Sequence, residues 1–457
     1  MHFVAKGVKI YMINNLIDII KLPKVKKMEI TKVRVKGIRN IQKAEICFDK
    51  ITALVGLNGY GKSNIMDAID FGISFIQCPV QVKNKMMSAK SEIPILKSNA
   101  GSDFGFLIEL NVESNGVNYF VEYEYEFSWE KTNSQAKITK ENLKIKLNEK
   151  GQKYTSLISR DEESAHYKRS ETGRCDTDIK IDNMALLINK LSAFDDLYYV
   201  DIIHKINKVE FYKERHLDAS TAYDPDPLII KGFGELELNG IQNIPRAIYF
   251  LKNAHEDKYN LLVDAFKQLF PRISDIVVKE IKLNPGKKSS IKISEDVPFL
   301  YADSIYTMFV KDNLLLQPLR FDRLSDGAKR IFLMLTYAVI ADVKGLSLIA
   351  VEEPENSIHP NLLQNYLDIL SQLVNNCKII FTSHSPYIIQ YLNPRSIYIG
   401  LNKKDGSVDF RKIAAKKENA LLKDAVQYDK SIGDYIFNLL STDDADESLK
   451  EYLETDE

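Results

Sequence analysis

A glycine-rich segment at residues 51–64 constrains the fold of this chain more than any other feature. Its first five residues, ITALV, form an apolar run that predicts a buried strand, and the run leads into Gly56-Leu57-Asn58-Gly59-Tyr60-Gly61-Lys62-Ser63. This sequence has the spacing of a phosphate-binding loop, Gly, four residues, then Gly-Lys-Ser. The glycines allow a tight turn in which successive backbone N–H groups face one anion. A helix predicted at residues 64–76 would add the positive end of its dipole.

The chemistry of this loop assigns roles to individual residues. Lys62 is expected to bridge the β- and γ-phosphates of ATP, and the Ser63 hydroxyl to bind Mg²⁺. The alternative, a glycine-rich turn with an accidental Gly-Lys-Ser, leaves the strand before it and the helix after it unexplained. The turn that precedes the loop's strand is assigned to nucleotide binding as well. The predicted nucleotide-binding residues are Arg39, Asn40, Gly56, Asn58, Gly59, Tyr60, Gly61, Lys62, Ser63 and Asn64.

Composition excludes several classes of protein. The 457 residues are 45% hydrophobic and 27% charged, an ordinary globular composition with room for two or three packed units. With 62 basic and 63 acidic residues there is no overall field for a polyanion, so nucleic-acid contact would need a local patch. Four scattered cysteines without metal-ligand spacing favour a reducing compartment. No apolar run reaches the roughly 20 residues of a membrane span. We therefore expect a cytoplasmic protein without a membrane contact.

Residues 1–27 precede the first predicted strand. Their apolar stretch is interrupted by Asn14, Asn15 and Asp18 and is followed, rather than preceded, by lysines. A signal peptide has the opposite order, so we reject that interpretation. The segment is either an appended helix or the product of a start site placed too early.

The chain after the loop's helix changes from strand to helix patterns. Residues 104–112 and 117–127 flank Asn115-Gly116, a strong hairpin signal. The second of these strands places aromatic side chains on one face and glutamates on the other. We interpret the aromatic face as core rather than as a base-stacking platform, because the glutamates would repel nucleic acid. From residue 181 the apolar period becomes helical, and no long run of heptads predicts a coiled-coil arm.

A second motif supplies carboxylates. Residues 346–351 predict a buried strand that ends in Glu352-Glu353-Pro354-Glu355. In a parallel α/β sheet, the carboxyl ends of strands hold metal ligands and bases. Glu352 is expected to reach Mg²⁺ through water, and Glu353 to orient and deprotonate the attacking water. The alternative is a strand end with surface acids.

Two further motifs complete the set. In Leu324-Ser325-Asp326-Gly327, the signature, Ser325 and Gly327 stand at the start of a predicted helix and offer a second anion site. Since one chain does not need two γ-phosphate sites, the signature is expected to serve another subunit's nucleotide. His384 ends a predicted buried strand, where it can contact the γ-phosphate as a switch. The alternatives are a simple helix cap and a hydrogen-bonded core histidine.

These motifs, in this order, resemble those of an ABC-type ATPase head, and the nearest relatives are the RecF, SMC and OLD-nuclease ATPases. The resemblance covers residues 28–400. It implies an α/β fold of the P-loop NTPase class: a mostly parallel core sheet, an antiparallel β-rich lobe and a helical insertion. It also implies that ATP lies between the phosphate loop of one subunit and the signature of another. Residues 356–359 match the segment that crosses between the two sites, here called the crossing segment.

This chain departs from the family pattern at three points. Glu352 stands where Asp is usual, which adds a methylene to the presumed Mg²⁺ ligand. Asp326 replaces the first signature glycine, as in the OLD-like branch. The glutamine that links the metal to the β-rich lobe has only two weak candidates, Gln77 and Gln81.

The predicted organisation has five parts. They are an N-terminal extension (1–27), an N-lobe with the phosphate loop (28–180), a helical insertion with return strands (181–300), a C-lobe with signature, acidic pair and His384 (301–400), and a helical, acidic tail (401–457).

Three functions remain open. From the sequence we expect neither the arms of SMC proteins nor the nuclease domain of OLD enzymes, and the chain resembles the ATPase subunits of two-gene anti-phage systems such as Septu and PARIS. The first hypothesis is therefore an ATPase, with no nuclease activity of its own, that forms homo-oligomers and controls a separate nuclease of the HNH or TOPRIM type. The second is a RecF-like DNA-repair clamp, which would contact DNA across the dimer. The third is a nucleotide sensor with little turnover.

Overall fold

The computed structural model describes residues 28–88, 93–99, 101–131, 134–214, 219, 221–231, 234, 236, 243–283, 297–375, 377–442 and 445–454. The predicted N-terminal extension lies outside the described residues. Residues 223–245, whose many Pro and Gly residues predict a loop, are described only in part. In the part of the chain that the structure describes, no helix is both long and apolar enough to cross a membrane.

The described strands, in chain order, are β1 (Met28–Ile38), β2 (Ile41–Cys47), β3 (Ile51–Val55), β4 (Phe104–Ser114), β5 (Val117–Ser128), β6 (Lys137–Leu147), β7 (Thr155–Arg160), β8 (Ala165–Lys168), β9 (Cys175–Asp178), β10 (Phe211–Glu214), β11 (Leu228–Ile230), β12 (Ile273–Lys282), β13 (Phe299–Tyr301), β14 (Ser304–Asp312), β15 (Leu319–Arg320), β16 (Leu348–Glu352), β17 (Lys378–Ser383), β18 (Ile397–Asn402) and β19 (Val408–Lys412).

The described α-helices are α1 (Lys62–Gln77), α2 (Val80–Met87), α3 (Leu187–Leu191), α4 (Val200–Asn207), α5 (Ile244–Ala254), α6 (Glu256–Leu269), α7 (Asp326–Lys344), α8 (Pro360–Leu373), α9 (Pro386–Tyr391), α10 (Glu418–Gln427), α11 (Ile432–Leu440) and α12 (Ala445–Lys450).

One large sheet organises the molecule. Its strand order is β10-β16-β17-β3-β18-β19-β2-β1-β4-β5-β6-β7-β8-β9. The five strands from β10 to β18 run parallel, and β3 and β17 are buried along their whole length. Continuous apolar strands of this kind need cover on both faces, and helices provide it. The sheet confirms the predicted parallel core.

The antiparallel lobe continues from the same sheet. Its strands β1, β2 and β4–β9 pair antiparallel with one another. Asn115 and Gly116 join β4 to β5 with φ of 52° and 77°, the backbone of a hairpin turn with two left-handed residues. Tyr123, Tyr125 and Phe127 are fully buried. The predicted hairpin and the core role of the aromatic face are both confirmed.

The hydrophobic core has two parts, one on each side of the parallel sheet. One lies under the antiparallel lobe and includes α1, α3 and α4. The other includes α5, α6, α7 and α8 together with the C-terminal helices. The predicted helical insertion is thus divided, because its first pair of helices packs on the lobe and its second pair beside α7.

Several predicted boundaries need correction. Residue 300 falls inside β13 and residue 400 inside β18, so neither is a domain boundary. The predicted tail includes β19, which pairs with both β18 and β2 and so belongs to the large sheet. Helix α2 follows α1 closely and was not predicted from the sequence. The helical region from residue 181 also contains a short strand, β10, at the edge of the parallel core.

Candidate nucleotide site

Three motifs meet where adjacent parallel strands end. The phosphate loop follows β3, the acidic pair lies at the end of β16, and His384 follows β17. Because β16, β17 and β3 are neighbours in register, their carboxyl ends open at the same edge of the sheet. The structure therefore brings together the predicted loop, acidic pair and switch residue.

The phosphate loop has the backbone that its sequence requires. Gly59 and Gly61 have φ of 81° and 70°, which non-glycine residues rarely adopt. Gly61 is also the N-cap of α1. A Cβ at Gly61 would lie 2.9 Å from the Val408 side chain and 3.1 Å from Asn40 Nδ2. This close approach, together with the positive φ, makes position 61 specific for glycine.

Lys62 is buried within the loop that it follows. Its Nζ donates to the carbonyl oxygens of Gly56 at 2.7 Å and Leu57 at 2.9 Å, and lies 3.1 Å from His384 Nδ1. Burial lowers the pKa of Lys62 to about 8, although the carboxylates of the acidic motif oppose this shift. A phosphate group would restore a strong preference for the charged ammonium.

Glu353 is held by both carboxylate oxygens. Oε1 lies 2.6 Å from His384 Nε2, and Oε2 accepts a hydrogen bond from Asn356 Nδ2 at 2.7 Å. Its backbone N–H donates to Thr382 O at 2.9 Å, and its φ of 47° is unusual for a residue other than glycine. Such strained positions occur where the surrounding structure fixes a functional side chain.

His384 joins the base to the loop. Its Nδ1 lies 3.1 Å from Gly56 O and the same distance from Lys62 Nζ, while Nε2 faces Glu353. A neutral ring that donates from Nε2 accepts from Lys62 at Nδ1, whereas a protonated ring donates to Gly56 O instead.

Glu355 is a buried carboxyl close to the contacts of Lys62, His384 and Glu353. Ser383 Oγ donates to its Oε1, while Oε2 is buried and has no hydrogen-bond partner among the residues that the structure describes. Burial raises the pKa of Glu355, and the hydrogen bond from Ser383 opposes the shift. Since Ser383 precedes His384, this contact links the end of the acidic motif to the end of β17.

Arg39 and Asn40 lie beside the phosphate-loop helix. Arg39 Nη1 donates to Asn64 Oδ1 at 2.8 Å, and Asn64 Nδ2 donates to Asn40 Oδ1 at 2.7 Å. Arg39 also pairs with Asp67 at 2.9 Å. The structure thus places both residues next to Asn64, and their contact with nucleotide stays a prediction.

The signature faces a different part of the chain. Ser325 is the N-cap of α7, and its Oγ accepts a hydrogen bond from Ala328 N at 3.4 Å. A Cβ on Gly327 would lie 2.4 Å from Ser357 O, in the crossing segment. The signature therefore packs against the crossing segment of its own chain, and the closeness of Ser357 explains why position 327 is glycine.

The structure removes one candidate for the metal-linked glutamine. Gln77 Nε2 donates to Val209 O at 2.5 Å, and Gln77 is the last residue of α1, sixteen residues long. At about 1.5 Å per residue, this puts Gln77 at the far end of the helix from Lys62. Gln81 lies on α2, beyond that end.

The sequence did not indicate Lys213 as a site residue. Lys213 lies on β10 and pairs with Asp67 and, at 3.8 Å, with Oε1 of Glu352. Its four-residue strand has no alternating pattern and stands among helical segments, so the residue type gave no signal. Only the pairing of β10 with β16 brings it to the acidic pair.

The donor groups of this site fit ATP with Mg²⁺. A glycine cradle with a buried lysine suits a triphosphate. The hydroxyl of Ser63 at the start of α1 and the carboxylate of Glu352 are the oxygen ligands that Mg²⁺ prefers, and this ion usually takes only one or two of them from protein.

One family model matches most of the chain. It is described as "AAA domain, putative AbiEii toxin, Type IV TA system" and matches residues 51–390. The match runs from β3 into α9 and includes the phosphate loop, the signature, the acidic pair and His384. The chain belongs to this family. Membership, together with the sheet topology, confirms the P-loop ATPase fold class. No curated protein sequence matches the chain.

Solved structures show a distant overall likeness. The SMC head domain from Thermotoga maritima is 12% identical, with a TM-score of 0.40, over 85% of this chain and 100% of that one. A Smc head domain with an extended coiled coil, bound to the C-terminal domain of ScpA and derived from Pyrococcus furiosus, is 13% identical, with a TM-score of 0.41, over 88% and 100%. The recombination mediator protein RecF of the RecFOR pathway is 12% identical, with a TM-score of 0.34, over 84% and 98%.

Proposed function

We propose that this chain hydrolyses ATP in composite sites formed between subunits, and that it uses this cycle to control a separate nuclease in anti-phage defence. The observation that carries the proposal is the row from Lys62 through His384 to Glu353, with contacts of 3.1 Å and 2.6 Å. This row supports the proposal because it joins the proposed phosphate-binding cation, Lys62, to the proposed general base, Glu353. The family, with its description as a putative toxin of a type IV TA system, supports a role in defence.

The residues divide the hydrolysis step among them. Lys62 binds the β- and γ-phosphates and offsets their negative charge. Glu353 accepts a proton from water as the water oxygen bonds to the γ-phosphorus and the bond to the ADP oxygen breaks. His384, which contacts both residues, senses the γ-phosphate. Ser63 and, through water, Glu352 would hold Mg²⁺, and the ion would supply neutralisation of phosphate charge.

A second subunit would complete the site. The signature begins the nineteen-residue helix α7, so its N-terminus offers a partial positive charge for an anion. Within its own chain, Gly327 contacts the crossing segment rather than the phosphate loop. In a homo-oligomer, the N-terminal end of α7 would face the nucleotide bound by a neighbouring subunit. Because Gly327 contacts Ser357, a movement of α7 would shift Ser357 and, through the crossing segment, Glu353.

The C-terminal helices are the proposed docking place for the nuclease. A Cβ on Gly433 of α11 would lie 2.0 Å from Pro386 O, so α11 packs directly on the turn after His384. On the neighbouring helix α10 and just beyond it, three apolar side chains are exposed: Leu422 by 47%, Val426 by 67% and Tyr428 by 63%. A partner bound to these side chains would contact α10. Its effect could pass from α10 to α11, and from α11 to the turn that follows the switch histidine.

The outer face of the antiparallel lobe gives little support to DNA binding there. Five of its basic side chains are paired with carboxylates across the strands, which weakens the positive field that a phosphate backbone needs. The pairs include Lys32–Glu109 at 2.7 Å, Arg34–Glu45 at 2.8 Å, Lys36–Glu126 at 2.5 Å, Lys140–Glu124 at 2.7 Å and Lys144–Glu122 at 3.2 Å. If DNA is bound, we assign the contact to another surface.

Phage challenge tests the proposal. The chain is expressed together with the product of any nuclease gene that adjoins its own gene, and plaque counts are compared for wild type, Glu353→Gln and Gly433→Leu. We expect protection only from the wild-type pair, because the first variant blocks turnover and the second separates α11 from Pro386. Protection by the chain without a nuclease would contradict the proposed control of a partner. Protection by the Glu353→Gln pair would favour a sensor that binds ATP without hydrolysing it.

A further inference from the structure

Lys213 is the least expected charged residue near the nucleotide site. Its side chain is only 7% exposed, and a buried charge is costly unless it is paired. Both of its partners are carboxylates: Asp67 on the phosphate-loop helix and Glu352, whose Oε1 lies at 3.8 Å. The lysine therefore connects the helix that follows the phosphate loop with the strand that ends in the acidic pair.

The connection continues toward the turn before the loop. Asp67 is shared with Arg39, whose Nη2 lies at 2.9 Å, and Arg39 Nη1 donates to Asn64. Two cations and two carboxylates thus alternate from Glu352 to Arg39. Lys213 and Asp67 each belong to two attractive pairs of this series, so moving either of them would separate two pairs.

The position of Lys213 follows from strand pairing. Lys213 is in register with Ala350 on β16, two residues before Glu352. Its strand is parallel to β16, so its side chain reaches the same sheet edge as the acidic pair. The side chain of Glu352 has one more methylene than the Asp that is usual at this position in the family. The added length suits a contact with Lys213 on the neighbouring strand.

We propose that Lys213 is a positioning residue for Glu352. The ammonium holds the longer carboxylate in the orientation from which it reaches Mg²⁺, and ties that orientation to the phosphate-loop helix through Asp67. The proposal deepens the proposed ATPase function and rests on Glu352 as the Mg²⁺ ligand. A purely structural ion pair between Lys213 and Asp67 is the competing explanation.

A magnesium titration of nucleotide binding separates the two. The full-length chain is titrated with a fluorescent ATP analogue at increasing Mg²⁺ concentration, and the half-saturating concentration is compared for wild type, Lys213→Met and Lys213→Arg. Loss of a residue that orients a metal ligand typically costs about tenfold or more in metal affinity. We expect Lys213→Met to raise the half-saturating Mg²⁺ about tenfold, and Lys213→Arg to restore much of it, while nucleotide binding without Mg²⁺ stays unchanged.

Lys258→Met is the matched control. Lys258 forms a similar partly buried ion pair with Asp342 at 2.5 Å, between α6 and the end of α7 farthest from the signature. Its loss should lower the melting temperature without changing the Mg²⁺ dependence. If Lys213→Met also leaves the Mg²⁺ dependence unchanged, or lowers the half-saturating concentration, Lys213 does not position Glu352.

A second substitution tests the role of side-chain length. Glu352→Asp withdraws the carboxylate from Lys213 by one methylene. Adding Lys213→Met to this variant should then change the half-saturating Mg²⁺ much less than it does in wild type. Equal effects in the two backgrounds would overturn the proposal. Because nucleotide binding is measured, a chain that binds ATP with Mg²⁺ but does not hydrolyse it would refute the ATPase function and still test Lys213.

Discussion

Glu353 and His384 form a 2.6 Å contact between Oε1 and Nε2 across the ends of two neighbouring strands. The other ring nitrogen of His384 lies 3.1 Å from Lys62 Nζ. One imidazole therefore joins the expected base to the expected phosphate-binding cation. A γ-phosphate bound among Lys62, His384 and Glu353 would change the hydrogen-bond partners of all three. Binding of ATP would in this way affect the loop after β17, which contains His384.

The first prediction concerns this base. Glu353→Gln should preserve ATP binding and reduce turnover by about 10² to 10⁴-fold, because an amide cannot accept the proton of water. Single-turnover hydrolysis and equilibrium binding of a fluorescent analogue measure the two effects separately. Lys62→Ala is the contrasting variant, since it should weaken binding itself. Wild-type turnover in the Glu353 variant would mean that another carboxylate, first Glu352 or Glu355, is the base.

The second prediction concerns pH and Lys62. Burial lowers the pKa of Lys62 to about 8, and the charged ammonium is the form that pairs with phosphate. ATP affinity should therefore fall as pH rises from 7 to 9, approaching about tenfold per pH unit above 8. Binding above pH 8 should take up a proton, which calorimetry in buffers of different ionisation enthalpy detects.

The same pKa has the opposite effect on folding stability. The unfolded chain, with an ordinary lysine pKa near 10.5, binds more protons than the folded chain between pH 8 and that value. The contribution of Lys62 to stability therefore increases with pH there. Lys62→Arg, whose guanidinium stays charged, is the control and should remove the proton uptake. An ATP affinity that is constant from pH 7 to 9 would contradict the prediction that the charged ammonium of Lys62 binds the phosphates.

The third prediction concerns the sharing of sites. If Ser325 and Gly327 complete the pocket of a neighbour, Lys62→Ala subunits mixed with Ser325→Arg subunits should recover part of the ATPase activity. In a mixed dimer, one site would combine an intact phosphate loop with an intact signature. Native mass spectrometry establishes that mixed assemblies form. Their complete inactivity would argue against composite sites.

The site could largely be predicted, because its residues occur in short motifs with fixed spacing. One motif is Gly-Lys-Ser after an apolar strand, and another is a pair of acids at the end of a second strand. Their relative position could be predicted because the carboxyl ends of parallel strands meet at one edge of the sheet. Contacts between segments that are distant in the sequence could not be predicted, because no sequence motif indicates them. The exclusion of a side chain at Gly327 depends on a carbonyl of Ser357, and Lys213 reaches Glu352 only through pairing of a four-residue strand.

The fold followed the same division. Long apolar strands and the Asn115-Gly116 turn were evident from periodicity. Helix α2 was missed because only Lys83 and Met87 are buried along it, and a buried lysine does not resemble a core position. Lys83 donates to the carbonyl oxygens of Ile76, at 3.2 Å, and Cys78 at the C-terminal end of α1, where a cation offsets the helix dipole.

The fourth prediction concerns stability of the antiparallel lobe. Glu141 is fully buried and accepts hydrogen bonds from Leu187 N at 2.6 Å, Ile188 N at 2.8 Å and Tyr123 OH at 3.0 Å. Arg160, 4% exposed, lies 3.9 Å away. Glu141→Ala should lower the free energy of unfolding by about 3–5 kcal/mol, because it leaves a buried guanidinium without its counter-charge. Chemical denaturation measures this change.

An exposed pair in the same lobe provides the control for Glu141. Glu162 pairs with Lys137 at 2.5 Å, with side chains 52% and 43% exposed. Glu162→Ala should change the free energy of unfolding by less than about 1 kcal/mol, as is usual for surface ion pairs. Similar losses in the two variants would show that burial of the Glu141 network contributes little.

The last prediction is that this chain alone does not cut nucleic acid. Outside the ATP motifs, the sequence contains no second carboxylate cluster and no histidine spacing of the HNH type; His2, His166, His204, His216 and His255 are scattered. Of these, His166 Nδ1 lies 2.9 Å from Asp178 Oδ1 in the antiparallel lobe, and His204 Nε2 lies 2.9 Å from Ser192 O, so neither stands in a cluster of histidines. Purified chain incubated with DNA or RNA, ATP and Mg²⁺ or Mn²⁺ should leave the substrate intact on a denaturing gel. Cleavage that persists through stringent purification, and that a point mutation in this chain abolishes, would show that the nuclease activity resides here rather than in a partner.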